Sequence, residues 1–323
     1  MTREKYPQVS VVIPSFNHAA YLAQRLMSIF NQRFRDFEII FLDDASTDNS
    51  VEIAKNMMTE HPMRMVINSK NSGTPFSQWN KGVSLSRGKY VWLAESDDVA
   101  HPDFLGRLVD VLSRQPHAGL VYCQSHRIDD TGRIGLLAEE RLQSLHPRRW
   151  KSDFFANGKE ECRVYLARQN TIANASAVVF RRSVYEEAHG ADESFQMLGD
   201  WDLWSRMLLR SDVAFVADPL NQHRLHEGSV RRKIMAAQAL IEEGLVLSRI
   251  HQSVRIPHPI LRETTGNLRG KCVFLLKKKL VKWKDICAVA VATRKLDSFF
   301  MPRLILEWYR QTFKTSPKEI NHT

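Results

Sequence analysis

The chain has 323 residues, enough for one large or two modest domains. Its 43% apolar content, with 14 Gly and 12 Pro, excludes a low-complexity or fibrous chain. The net charge of +10 is uneven: residues 231–323 hold 19 Lys+Arg against 7 Asp+Glu, and residues 1–230 hold 27 against 29. The basic character therefore belongs to the last third, and it asks for an acidic partner such as anionic lipid or polyphosphate.

Cys123, Cys162, Cys272 and Cys287 form no CxxC pair and have no histidine cluster beside them. Unpaired thiols in a reducing compartment are expected, with no zinc site or disulfide framework. The opening MTREKYPQVSVVIPSFN is charged and then turns into a strand, so secretion through a signal peptide is not expected. No window approaches the ~20 uninterrupted apolar residues of a membrane span.

QVSVVIPSFN reads as a buried β-branched strand, and AAYLAQRLMSIFNQ follows with a helical stripe at Tyr21, Leu22, Leu26, Ile29 and Phe30. DFEIIFLDD is a second strand. ASTDNSVEIAKNMMTE then opens a helix with Ser46, Thr47 or Asp48 as N-cap. MRMVIN is a short strand, SQWNKGVSLS a helix with Gly88 suited to its end, KYVWLA a strand and HPDFLGRLVDVLSRQ a helix. GLVYCQSHRID is another strand, residues 131–170 read as a polar loop or lid, and ASAVVFRRSVYEEAHG reads as strand then helix. DWDLWSRMLLRS is helical, VAFVADPLNQHRLH a late strand, and residues 231–323 helical and basic. The alternation predicts an α/β fold, a mostly parallel sheet with helices on both faces plus a C-terminal helical extension, the boundary falling between residues 230 and 231. Ligands of such sheets bind beyond the carboxyl ends of the strands, so Pro14–Asn17, Asp43–Asp44 and Glu95–Asp98 should converge on one crevice.

Each polar cluster has two readings. Asp97 and Asp98 suit a hard divalent cation that keeps positions open for phosphates, or a solvated Asx turn. Asp44 could accept from a base or ribose, or cap a helix. Asp200 and Asp202, at a helix start, offer a general base or an N-cap. His226 in HRLHEGSV offers a metal or phosphate contact, or a surface histidine.

Taken in order, these segments resemble the inverting family 2 glycosyltransferases with the GT-A fold. The resemblance rests on VSVVIPSFNHAAYLAQRLMSIFNQRFRDFEIIFLDDASTDNS, NKGVSLSRGKYVWLAESDD, GDWDLWSRM and HRLHEGSV, and covers roughly residues 7–230. It implies a nucleotide pocket lined by Pro14, Phe16 and Asn17, with Asp44 reading the base, Asn80 on the nucleotide side and Asp97 near the ribose. It implies Asp98 as the ligand of Mn²⁺ or Mg²⁺, His226 at the metal or diphosphate, and Asp200 as general base. Gly199 stands where the family often has Glu. The implied partners are a nucleotide-sugar donor, UDP-linked in the first instance, and a saccharide or lipid-linked saccharide acceptor of cell-surface polysaccharide assembly.

The basic tail, with interleaved Phe, Trp and Leu, suits helices packed with a solvated face or lying on an anionic membrane; nucleic acid suits it least. A cytoplasmic enzyme at the inner face of the cell membrane is expected. A nucleotidyltransferase and a non-catalytic sugar-nucleotide-binding protein are the rival readings, although IPSFNHAAY lacks the Gly-rich loop of the first.

Overall fold

The structure is a computed structural model, and it describes residues 6–172, 174–225 and 236–313. The chain divides into two compact units, Met1–Ser229 and Val230–Thr323.

The first unit is built on one twisted sheet. β1 (Val9–Ser15) is buried along its whole length, because it lies between two parallel neighbours, β2 (Phe37–Asp43) and β4 (Tyr90–Leu93). A strand covered on both faces must be apolar throughout, and VSVVIPS nearly is. β3 (Arg64–Ile67) extends the parallel run beyond β2. α1 (Ala19–Phe30), α2 (Ser50–Met58) and α3 (Pro75–Leu85) make the crossovers. Beyond β4 the sheet becomes mixed. β5 (Val99–Ala100) and α4 (Phe104–Arg114) lead to β6 (Ala118–Ile128), and β9 (Val178–Arg181) inserts antiparallel between β4 and β6. β10 (Asp212–Arg224) then runs parallel to β6. The core lies between the sheet and its helices, around Val11, Ile13, Leu26, Phe41, Trp92, Phe104 and Leu108.

Three local expectations are corrected. None of Ser46, Thr47 and Asp48 is the N-cap of α2; that place falls to Asn49. Instead they hold the exit of β1: Asn17 N donates to Ser46 Oγ at 3.0 Å, Thr47 N to Asn17 Oδ1 at 2.8 Å, and Ala19 N to Asp48 Oδ2 at 2.9 Å. Gly88 is not a left-handed helix cap. It is glycine because β1 passes too close: a Cβ would sit 2.6 Å from Ser10 N and 2.7 Å from the Val9 carbonyl carbon. Residues 131–170 are not one loop. β7 (Ile134–Leu137) pairs with β6, β8 (Phe154–Ala156) pairs with β10, and α5 (Gly158–Glu161) runs into a π-type turn at Cys162–Leu166.

α6 (Arg182–Glu187) and α7 (Gly199–Leu208) complete this unit. The second unit is helical: α8 (Ala236–Val254), α9 (His258–Lys277), α10 (Trp283–Ala292) and α11 (Phe300–Phe313) close around Leu240, Leu268, Cys272, Val289, Phe300 and Leu304. Among the described residues no helix is long and apolar enough to cross a membrane. The four cysteines are free thiols, three buried and Cys287 exposed.

The close approach at Gly88 is backbone against backbone, so it has little room to relax. Gly88→Ala is expected to destabilise the protein by about 1–3 kcal/mol in chemical denaturation, the usual cost of overpacking.

Candidate active site

The run Glu95–Asp98 leaves the carboxyl end of β4 and is pinned from several sides. Asp98 is 2% exposed, and its Oδ1 accepts from Arg224 N at the end of β10 at 2.8 Å. Arg224 Nε donates to the Asp97 carbonyl at 2.8 Å. The Ser176 hydroxyl, from the tight turn Ala175–Ala177, accepts from Glu95 N at 3.0 Å and also bonds the Asp98 side chain. Trp79 Nε1, on α3, donates to Glu95 Oε1 at 2.7 Å.

Beneath these acids lies Arg25 of α1, wholly buried, its guanidinium 4.7 Å from the Trp92 ring. No guanidinium nitrogen of Arg25 has a hydrogen-bond partner. Its charge is balanced instead by Asp98, Asp97 and Glu95, although burial still lowers its pKa to about 10. The balance is incomplete. Burial and then Asp97 push Glu95 up to about 8, against the Trp79 hydrogen bond. Burial and then Asp97 also raise Asp98, against His223 and Arg25.

On the neighbouring strands, Pro14 lies in β1 beside Leu42, Phe16 is half-buried, and Asn17 takes a left-handed φ of 54°. Asp44 is 5% exposed and engaged by the fold: Asn68 Nδ2, Ser72 N and Gln78 Nε2 reach its Oδ1 at 2.7, 2.9 and 2.9 Å, and the Ser72 hydroxyl reaches its Oδ2 at 2.8 Å. A ligand contact at Asp44 would share oxygens that already hold the loop before α3.

Asp200 opens α7. Its Oδ1 accepts from Trp201 N at 2.7 Å and its Oδ2 from Asn170 Nδ2 at 2.8 Å. Arg141 donates to the Asn170 carbonyl at 2.7 Å and adds its positive charge. Burial outweighs these contacts and holds Asp200 at about 6. Asp202 points elsewhere: it is fully buried and bonded to Arg206 at 2.7 Å. Gly199 faces Phe76, whose ring carbon would be 2.5 Å from an added Cβ, so no larger residue fits there.

The strand ends thus bring Asp44, Asp97 and Asp98 to the same edge of the sheet, with Asp200 linked through α3. Asn80 does not join them. Its Oδ1 accepts from Tyr185 Oη and Ala191 N, and its Nδ2 donates to Ala191 O and Glu193, so it fastens α3 to residues 185–193. His226 lies outside the described residues. The sequence reading missed Arg25, Ser176, Asn170 and Arg141. Arg25 had a signal: it sits at i+3 from Leu22 and one residue before Leu26, on the buried stripe of α1.

The family model for glycosyl transferase family 2 matches residues 10–188. The chain belongs to glycosyl transferase family 2. It is a glycosyl-transferring enzyme with a GT-A fold. An Escherichia coli chondroitin synthase is 32% identical over 133 residues, 41% of this chain and 19% of that protein. Two solved structures share the fold: S. aureus TarS 1–349 in complex with UDP, with a TM-score of 0.58 at 15% identity over 94% of this chain and 89% of that one, and the mannosyltransferase PcManGT of Pyrobaculum calidifontis in complex with GDP-Man and Mn²⁺, with 0.56 at 16% over 95% and 85%.

Asp97 and Asp98 at the end of β4 have the chemistry to hold a divalent ion. Among the described residues no three His, Cys, Asp or Glu side chains form a metal cage. A phosphate-bound Mg²⁺ or Mn²⁺ does not need one, taking one or two carboxylates and completing its shell from phosphate and water. Asp97 and Asp98 are a donor set of that size.

Glu95 gives a pH test. Its folded pKa, about 8 against an ordinary 4.5, means its contribution to stability is full below 4.5 and is lost as pH rises through 8. In EDTA, Glu95→Gln is expected to melt a few degrees above wild type above pH 8, and the gap should close towards pH 4.5 in differential scanning calorimetry.

Proposed function

We propose that this enzyme moves a sugar from a nucleoside diphosphate donor, UDP-linked in the first instance, to a hydroxyl of a saccharide or lipid-linked saccharide, with inversion at C1. The observation that carries this reading is Asp200, a carboxylate held at about 6 and oriented by Asn170. A base with that pKa is ionised at neutral pH and still accepts a proton as an acceptor hydroxyl becomes nucleophilic. The hydroxyl oxygen bonds to C1, the bond from C1 to the diphosphate oxygen breaks, and the hydroxyl proton goes to Asp200. The electron pair leaves with the diphosphate, and no covalent sugar–enzyme intermediate forms.

Pro14, Phe16, Asn17 and Asp97 line the nucleotide side in this reading, and Asp44 keeps its place there by shaping residues 68–74. Asp98, with Asp97 and His226, would hold the ion. When bound, that ion supplies positive charge to the leaving diphosphate. The donors named with TarS and PcManGT, UDP and GDP-Man, support a nucleotide-sugar substrate, and the chondroitin synthase supports a role in polysaccharide assembly. Work at the inner face of the cell membrane is supported by the α9–α10 hairpin, where exposed Phe274, Leu280 and Trp283 stand among Lys277, Lys278, Lys279, Lys282 and Lys284.

Asp98→Ala is expected to abolish the metal-dependent thermal stabilisation by one class of UDP-, GDP-, dTDP- or CMP-sugar. No stabilisation of wild type by any of them would sink the proposal. Asp200→Asn should keep that stabilisation and lose turnover by about 10²–10⁴-fold. The acidic limb of kcat/KM should fall near pH 6. Asn170→Ala, which removes a hydrogen bond to the anion, should move that limb to higher pH.

A further inference from the structure

The helical second unit contains a cavity of about 410 Å³, within the range of small-ligand sites. It is lined by Arg262, Thr265 and Arg269 of α9, by Asp297 in the turn before α11, and by Arg303 of α11. Three guanidinium groups face one carboxylate. Asp297 is 9% exposed and already spent: Arg269 Nη1 reaches its Oδ2 at 3.1 Å, and Arg303 Nη1 reaches its Oδ1 at 3.1 Å. Sharing one anion between two arginines leaves their remaining N–H groups pointing elsewhere. The Nε of Arg269 is buried and makes no hydrogen bond, although Glu307 pairs with it as an ion pair at 3.6 Å. Arg262 is exposed and makes no ion pair among the described residues.

A folded protein does not gather excess like charge around a cavity without cost. Guanidinium groups held in fixed positions, with N–H groups to spare, match the oxygens of a phosphate group in fork geometry. We infer that this pocket binds a phosphate or diphosphate group, with Arg262 and Arg303 at its mouth and Arg269 at its base. Asp297 is the positioning residue: it holds two of the arginines in place and prevents their mutual repulsion from splaying them. The pocket is lined by residues 258–303 of the second unit and shares no residue with the acids of the first. It takes anions by direct hydrogen bonding, where the acidic crevice would need a metal ion.

The phosphate could be free in solution or carried by a lipid headgroup, and the test separates the two. Inorganic pyrophosphate is titrated into the full chain by calorimetry in EDTA, so that any metal-held diphosphate at the acidic crevice does not contribute. In parallel, the protein is floated with phosphatidylcholine vesicles with and without phosphatidic acid. The expected result is saturable binding of pyrophosphate, or of phosphatidic acid vesicles alone if the source is a headgroup, weakened about ten-fold by Arg262→Ala, as losing one charge-assisted contact predicts. Arg294→Ala, which removes an equal exposed charge outside both the pocket and the basic hairpin, should leave it unchanged. Arg262 is solvent-exposed, so its loss should not unfold the chain; an unchanged melting temperature checks this. Absence of binding to either probe would overturn the assignment. Equal weakening by Arg262→Ala and Arg294→Ala would also overturn it, showing diffuse charge rather than a site.

Discussion

A buried arginine under a run of acids is the constraint on which the active-site end of the sheet depends. β4 delivers Glu95, Asp97 and Asp98 into one crevice within four residues. At an effective dielectric of about 20, two like charges about 6 Å apart repel by about 3 kcal/mol, a large fraction of a domain's net stability. Arg25 opposes that repulsion from below. Burying a guanidinium is itself expensive, and here Trp92 and the three carboxylates offset the cost in place of hydrogen bonds. Burial and the mutual repulsion of the acids still outweigh Arg25, which the raised pKa values of Glu95 and Asp98 register.

The second organising element is α3. Gln78 bonds Asp44, Trp79 bonds Glu95, and Phe76 packs against Gly199, one residue before Asp200. Thr74, its N-cap, also donates to the Phe195 carbonyl. One short helix therefore sets the spacing of Asp44, the acids at the end of β4 and Asp200, while Asn80 on the same helix ties it to residues 185–193.

How much of this was legible in the sequence varies with the physics involved. β1, β2 and β4 announced themselves because parallel strands buried on both faces must be continuously apolar, and their ends could be located by the first polar residue. The insertion of β9 between β4 and β6 could not be read, since VVFR is equally at home parallel or antiparallel. Asp98 and Asp200 stood out through their place at element ends. Asn170 and Arg141 did not, because they reach Asp200 from a polar stretch whose strands are three or four residues long and carry no readable period. Asn80 misled for a related reason: an amide on a helix looks the same whether it faces a ligand or a neighbouring turn. Gly88 misled because a tight interstrand approach and a helix cap both call for glycine.

The shared role of α3 bears on how such an enzyme could diversify. A change that shifts this helix to suit a different base would also disturb the acids at the end of β4 and the start of α7. The three functions cannot be retuned one at a time from that face. The stretch carrying Arg141 and Asn170 is under no such triple restraint: it touches Asp200 by way of a single side-chain hydrogen bond and a nearby charge. On the proposed reading, new acceptor preferences would therefore arise most cheaply by rewriting residues 131–169 around an unaltered Asn170 and an unaltered donor end, so that two enzymes with the same nucleotide chemistry could make different products.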